Sequence, residues 1–148
     1  MKPSDVIGPG QVIVGLRVAD KAQLLQELSR RAAAAIALDQ RGILDALQAR
    51  ENLGSTGLGK GFALPHARLA TLTAPFALLV RLARPVDFAS IDDRPVDLVL
   101  LLLTPAGAGQ EHLATLAAMS RPLRDEAFVG RLRQAPDAAA LHALLANA

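Results

Sequence analysis

The stretch VDLVLLLL at residues 96–103 leaves few options for the rest of the chain. A strand with one solvated face alternates apolar and polar side chains, and this one does not, so both of its faces need cover. Its unbroken run, Leu98 to Leu103, falls far short of the roughly 20 apolar residues that a membrane span requires. It reads as the central strand of a sheet with helices on both sides.

The flanking pattern supplies the other strands and the helices. Residues 11–18, QVIVGLRV, read as a first strand. Asp20 followed by Gln23 is a capping-box arrangement that opens a helix in which Leu24, Leu25, Leu28, Ala32, Ala35 and Ile36 recur at helical spacing. Asp39 caps a second helix with an apolar stripe of Ile43, Leu44 and Leu47, ended by Gly54. Strands are expected at 62–64 and 75–82, before the central one. After TPAGAG the chain turns helical through Leu113, Leu116, Ala117 and Met119, and two short helices fit 124–134 and 137–146, the latter capped by Asp137. The order is β-α-α-β-β-β-α-α-α, an α/β chain forming a single domain over residues 1–148. At this length it buries roughly 70% of the surface that its unfolded chain would expose.

Composition removes several function classes. Cysteine is absent, which excludes thiol catalysis, disulfides and cysteine-ligated zinc. The 16 basic and 14 acidic residues are scattered, leaving a formal charge of +2, and with four Phe but no Tyr or Trp there is little on which bases could stack. Nucleic acid is therefore a poor candidate partner. MKPSDVIGPG at the start has no apolar stretch of the signal-peptide kind, and the chain is expected to be cytoplasmic and not embedded in a membrane.

The chemistry concentrates in GSTGLGKGFALPH, residues 54–66. Gly54, Gly59 and Lys60 match the start of a nucleotide-binding P-loop, but Gly61 stands where a Ser or Thr should hold magnesium, a helix precedes the loop, and Pro65 sits where the following helix should be starting. The alternative is a glycine-rich turn beside one histidine. Gly57 and Gly59 allow main-chain N–H groups to approach an anion, Ser55 and Thr56 either donate to that anion or cap the turn, and Lys60 is either a contact or a solvated charge. Neutral imidazole is a good phosphoryl acceptor near neutral pH, so His66 is the candidate nucleophile and Arg50 the candidate counter-charge. His112 lies about 100° around its helix from Leu113, which places it at the edge of the buried stripe. His142 reads as structural. No metal-binding spacing such as H-E-x-x-H occurs, and neither a metal nor a cofactor is expected.

The segment RENLGSTGLGKGFALPHARL, Arg50 to Leu69, resembles the signature of the enzyme IIA proteins of the bacterial phosphoenolpyruvate-dependent phosphotransferase system, in the branch with fructose, mannitol and nitrogen-regulatory types. The likeness continues through RPVDFASIDDRPVDLVLLLLTP and QEHLATLAAMSRPLRDEAF. It implies a three-layer α/β/α fold with a central mixed sheet. It also implies that His66 accepts a phosphoryl group from a small phosphocarrier, HPr or its nitrogen-branch counterpart NPr, that His112 assists, and that Arg50 contacts the phosphoryl group. Ala67 stands where the motif usually has Gly. The nitrogen-regulatory type is the nearest resemblance, which implies regulatory target proteins as partners. The alternatives are a sugar-specific enzyme IIA that passes phosphate to a IIB domain, and an interaction module without covalent chemistry.

Overall fold

The computed structural model describes residues 1–107 and 109–148. In chain order the elements are β1 (Val12–Leu16), α1 (Lys21–Ile36), α2 (Gln40–Asn52), β2 (Gly57–Gly59), β3 (Phe62–Ala63), β4 (His66–Leu69), β5 (Phe76–Val86), β6 (Val96–Pro105), α3 (Gly109–Ser120), α4 (Glu126–Gln134) and α5 (Ala138–Ala146). Short 3-10 turns cover Pro3–Asp5, Pro9–Gln11 and Arg121–Arg124.

The apolar run at 96–103 lies in β6, at the centre of a six-stranded mixed sheet ordered β1-β5-β6-β3-β2, with β4 off this path and paired to β6. On one side β6 pairs antiparallel with β5. Along its other side lie β3 and then β4, both parallel to it, with Phe62 opposite Leu98 and His66 opposite Leu102. The faces separate by residue parity, as strand geometry requires. Leu98, Leu100 and Leu102 pack with Met119 of α3, Phe128 and Leu132 of α4, and Leu141 and Leu145 of α5. Val99, Leu101 and Leu103 pack with Leu24 and Leu28 of α1 and Ile43 and Leu47 of α2. Complete burial of each such leucine is worth about 1.5–3 kcal/mol.

Local signals set most helix starts. Asp20 accepts the Gln23 N–H at 2.8 Å, Asp39 that of Gly42 at 3.0 Å and Asp137 that of Ala140 at 2.8 Å. The capping box of α1 is offset by one residue: the Gln23 side chain accepts from Ala19 N–H, not from the cap residue itself. α4 starts slightly later than expected, because Asp125 takes the N–H groups of Ala127 and Phe128 while Arg121–Arg124 forms a tighter turn.

The structure adds the short strands β2 and β4, neither of which carries a strand-length apolar pattern. Each exists because a neighbour supplies the ladder. β2 pairs antiparallel with β3, and β4 pairs with β6.

Candidate functional site

His66 opens β4. Pro65 has no N–H to give the ladder, yet its carbonyl accepts from Leu102 N–H at 3.0 Å, so the chain stays on the edge of β6 through the break. Ala67 and Leu69 turn toward the α1–α2 core. Alternation therefore points His66 and Arg68 toward the α3 side. Ala67, where glycine is the commoner residue of the resembling motif, has negative φ and its methyl is buried in that core, so no glycine-specific conformation is needed there.

The His66 ring is held at both nitrogens. Nδ1 lies 2.8 Å from the Leu64 carbonyl, an acceptor, so Nδ1 carries the proton and Nε2 keeps its lone pair. Arg50, in the last turn of α2, donates from Nε to that Nε2 across a long 3.3 Å and from Nη1 to the Gly54 carbonyl at 2.8 Å. Burial pushes the proton affinity of His66 below the ordinary value of 6.5; the Leu64 carbonyl opposes this, the Arg50 charge adds to it, and the net direction favours the neutral ring.

His112 completes the pair, with its ring centroid 5.8 Å from that of His66. Here the structure corrects the sequence reading. His112 is 6% exposed and Leu113 is 63% exposed, so the buried stripe of α3 is His112, Thr115 and Met119. The physical reason is a partner: the Thr104 hydroxyl of β6 hydrogen-bonds His112 Nδ1, and a satisfied polar ring can be buried where hydropathy favours a leucine. Burial, then the charge of Arg68, then His66 hold His112 below its ordinary value as well.

The glycine-rich segment is occupied largely with its own architecture. The Ser55 hydroxyl donates to the Phe88 carbonyl at 2.8 Å, and the buried Thr56 hydroxyl donates to Glu51. Gly57 N–H donates to Ser55 Oγ at 3.1 Å, and Lys60 N–H to Asp92 Oδ2 at 2.8 Å. Gly57 is glycine for close approach, since a Cβ there would lie 2.9 Å from the Ser90 Cα. Gly59, Lys60 and Gly61 take φ of +97°, +57° and +80° to reverse the chain between β2 and β3. Lys60 Nζ pairs with Glu126 across the mouth of a groove.

That groove, of about 880 Å³, runs from His66 between the β2–β3 hairpin and α3–α4. Phe62, Leu64, Leu116 and Val129 give it an apolar floor, while Lys60, Arg94 and Arg124 add positive charge. Of the residues singled out in the sequence, Arg50 and His112 meet His66, and Gly59 and Lys60 share its groove. Ser55, Thr56 and Gly57 have their hydrogen-bonding groups directed elsewhere. Sequence reasoning missed Arg68, Thr104 and Glu51. The signal for Arg68 was its place two residues after His66, legible once 66–69 is known to be a strand.

A family model for the phosphoenolpyruvate-dependent sugar phosphotransferase system, EIIA 2, matches residues 5–148. The chain is 44% identical over 146 residues to a nitrogen regulatory protein of Bradyrhizobium diazoefficiens, covering 99% of this chain and 95% of that one. It is 36% identical over 143 residues to a nitrogen regulatory protein of Pseudomonas aeruginosa, covering 96% and 93%. The crystal structure of nitrogen regulatory protein IIA-Ntr from Neisseria meningitidis superimposes with a TM-score of 0.90 at 30% identity, covering 96% of this chain and 97% of that one. The family match over residues 5–148, with relatives 36–44% identical almost end to end and a fold shared at a TM-score of 0.90, places this chain in the phosphotransferase-system EIIA 2 family.

Proposed function

We propose that this protein is a phosphoryl carrier that accepts its phosphoryl group on Nε2 of His66 from the phosphohistidine of HPr or its nitrogen-branch counterpart. Through its phosphorylation state it acts as a nitrogen-type regulator of cytoplasmic partner proteins. The observation that carries this reading is the Nδ1–H bond to the Leu64 carbonyl, which leaves the Nε2 lone pair toward Arg50.

In the transfer, the Nε2 lone pair forms the new N–P bond as the donor's N–P bond breaks, and the released electron pair stays on the donor ring. The proton on Nδ1 remains where it is, bonded to Leu64. Such a reaction asks mainly for positioning and charge stabilisation. Arg50 supplies the charge: two unit charges about 4 Å apart at an effective dielectric near 20 attract by roughly 4 kcal/mol before desolvation. In the tautomer where the Thr104 hydroxyl donates to Nδ1 of His112, Nε2–H of that ring becomes a second donor for the phosphoryl oxygens. The apolar groove beside His66 offers the carrier a docking surface.

A sugar-specific role, with onward transfer to a IIB domain, uses the same chemistry at His66. The regulatory reading is favoured by the names of the relatives. To test it, the protein is incubated with labelled phosphoenolpyruvate, enzyme I and each carrier, followed by candidate IIB domains. Acid-labile, alkali-stable label that disappears in His66→Ala and stays on the protein is expected. Undiminished labelling of His66→Ala overturns the site, and rapid passage to a IIB domain overturns the regulatory role.

A further inference from the structure

Behind the site lies an ion pair, its carboxylate side chain buried and its lysine part-exposed, that phosphoryl acceptance as described leaves without a task. Glu51, next to Arg50 on α2, has a side chain only 5% exposed. Its Oε1 accepts from Lys21 Nζ of α1 at 2.9 Å and from Thr56 N–H at 3.0 Å, and its Oε2 takes the Thr56 hydroxyl. Lys21 is itself seated, 4.3 Å from the centroid of the Phe88 ring and 3.3 Å from the Phe88 carbonyl. A buried carboxylate with this many partners is costly to assemble and rigid once assembled.

What it holds is Thr56, and Thr56 leads to the reactive ring. The Thr56 carbonyl accepts from Leu64 N–H at 3.0 Å, and the Leu64 carbonyl faces His66 Nδ1 at 2.8 Å. Two residues before Thr56, the Gly54 carbonyl takes Nη1 of Arg50. One anchored residue thus sets the acceptor that orients the ring and the acceptor that orients the guanidinium. Misplacement by about 1 Å at such a site costs on the order of 100-fold in rate.

We propose that Glu51, paired with Lys21, is a positioning residue that holds His66 in its Nδ1–H tautomer and Arg50 over Nε2 by way of Thr56, Leu64 and Gly54. This rests on the reading that His66 accepts the phosphoryl group.

The test compares Glu51→Gln, Thr56→Val, Thr56→Ser and Lys21→Met with the wild type in two measurements. Imidazole 15N shifts at pH 8 report where the proton sits on neutral His66. Transfer from phosphorylated HPr and from its nitrogen-branch counterpart reports the saturating rate and KM. Glu51→Gln, Thr56→Val and Lys21→Met are expected to shift His66 toward the Nε2–H tautomer and to lower the saturating rate about tenfold or more, with KM within about twofold. Thr56→Ser, which keeps the hydroxyl, should restore both. Should Glu51→Gln fail to fold, Lys21→Met, at a side chain 25% exposed, and Thr56→Val carry the same comparison. Labelled wild type together with folded variants of wild-type tautomer and rate overturns the Glu51 role alone, as does a change confined to KM. Wild type that takes no label from either carrier overturns the phosphoryl reading and this proposal with it.

Discussion

Arg50 divides one guanidinium between two acceptors, the Gly54 carbonyl at 2.8 Å and His66 Nε2 at 3.3 Å. The first bond fixes where the second group points. A lysine keeps the charge but loses the planar fork, so it cannot be anchored and directed at once. Arg50→Lys is expected to slow phosphoryl acceptance about 10- to 100-fold while leaving thermal stability close to wild type, since the substituted side chain is part-buried in the last turn of α2. Single-turnover transfer monitored alongside a melting curve checks both halves, and an unchanged rate would remove Arg50 from the site. A candidate nucleophile could be named at this scale, because GKGFALPH isolates one histidine behind a proline. Which of its ring nitrogens is left without a carbonyl partner could not, because that depends on the carbonyl of Leu64 lying 2.8 Å from Nδ1.

Among the elements, β2 shows how one glycine can be indispensable for reasons of space. It lies against β3 on one side, and the Ile91 N–H meets the Gly57 carbonyl at 3.4 Å on the other. A methyl at Gly57 would be forced to within 2.9 Å of the Ser90 backbone. Gly57→Ala should therefore cost about 1–3 kcal/mol by overpacking and lower Tm by roughly 2–12 °C. Gly130 makes the comparison clean. It is in α4, and a methyl there meets nothing within 4 Å. Gly130→Ala should raise stability by about 0.5–1 kcal/mol, and calorimetry that finds the same sign for both substitutions would refute this account of β2. α3 teaches a different lesson. Hydropathy put Leu113 inward, but Thr104 waits on β6 for a ring nitrogen, and that partner turns the helix so that His112 is buried instead.

At the scale of the whole molecule, two neutral histidines close to one another make folding sensitive to mild acid. Both rings have folded-state proton affinities below the ordinary 6.5, burial being the largest cause in each. The unfolded chain therefore binds more protons as pH falls below about 6.5, and stability that is complete above that value is lost as pH falls through the folded-state values. Tm should drop between pH 7.5 and pH 5, and a His66→Gln, His112→Gln double variant should lose much of that slope. Equal slopes in the two proteins would show that neither ring is buried neutral. A phosphoryl group taken up at His66 as proposed would add about −2 to a formal charge of +2, bringing the chain near neutrality and placing that change beside an apolar groove.

The amino-acid order alone determined the layered fold, because periodicity records which face of an element is apolar. VDLVLLLL had to be covered on both sides, and the stripe of α1 and the aspartates at the helix starts identified much of what covers it. Tertiary structure alone decided how the site is wired. The short strands β2 and β4 exist through their neighbours' ladders, His112 is buried through Thr104, and the proton of His66 is set by Leu64 behind Thr56 and Glu51. Apolar burial is written residue by residue along the chain, whereas a polar group's state depends on the partner that folding brings to it from elsewhere.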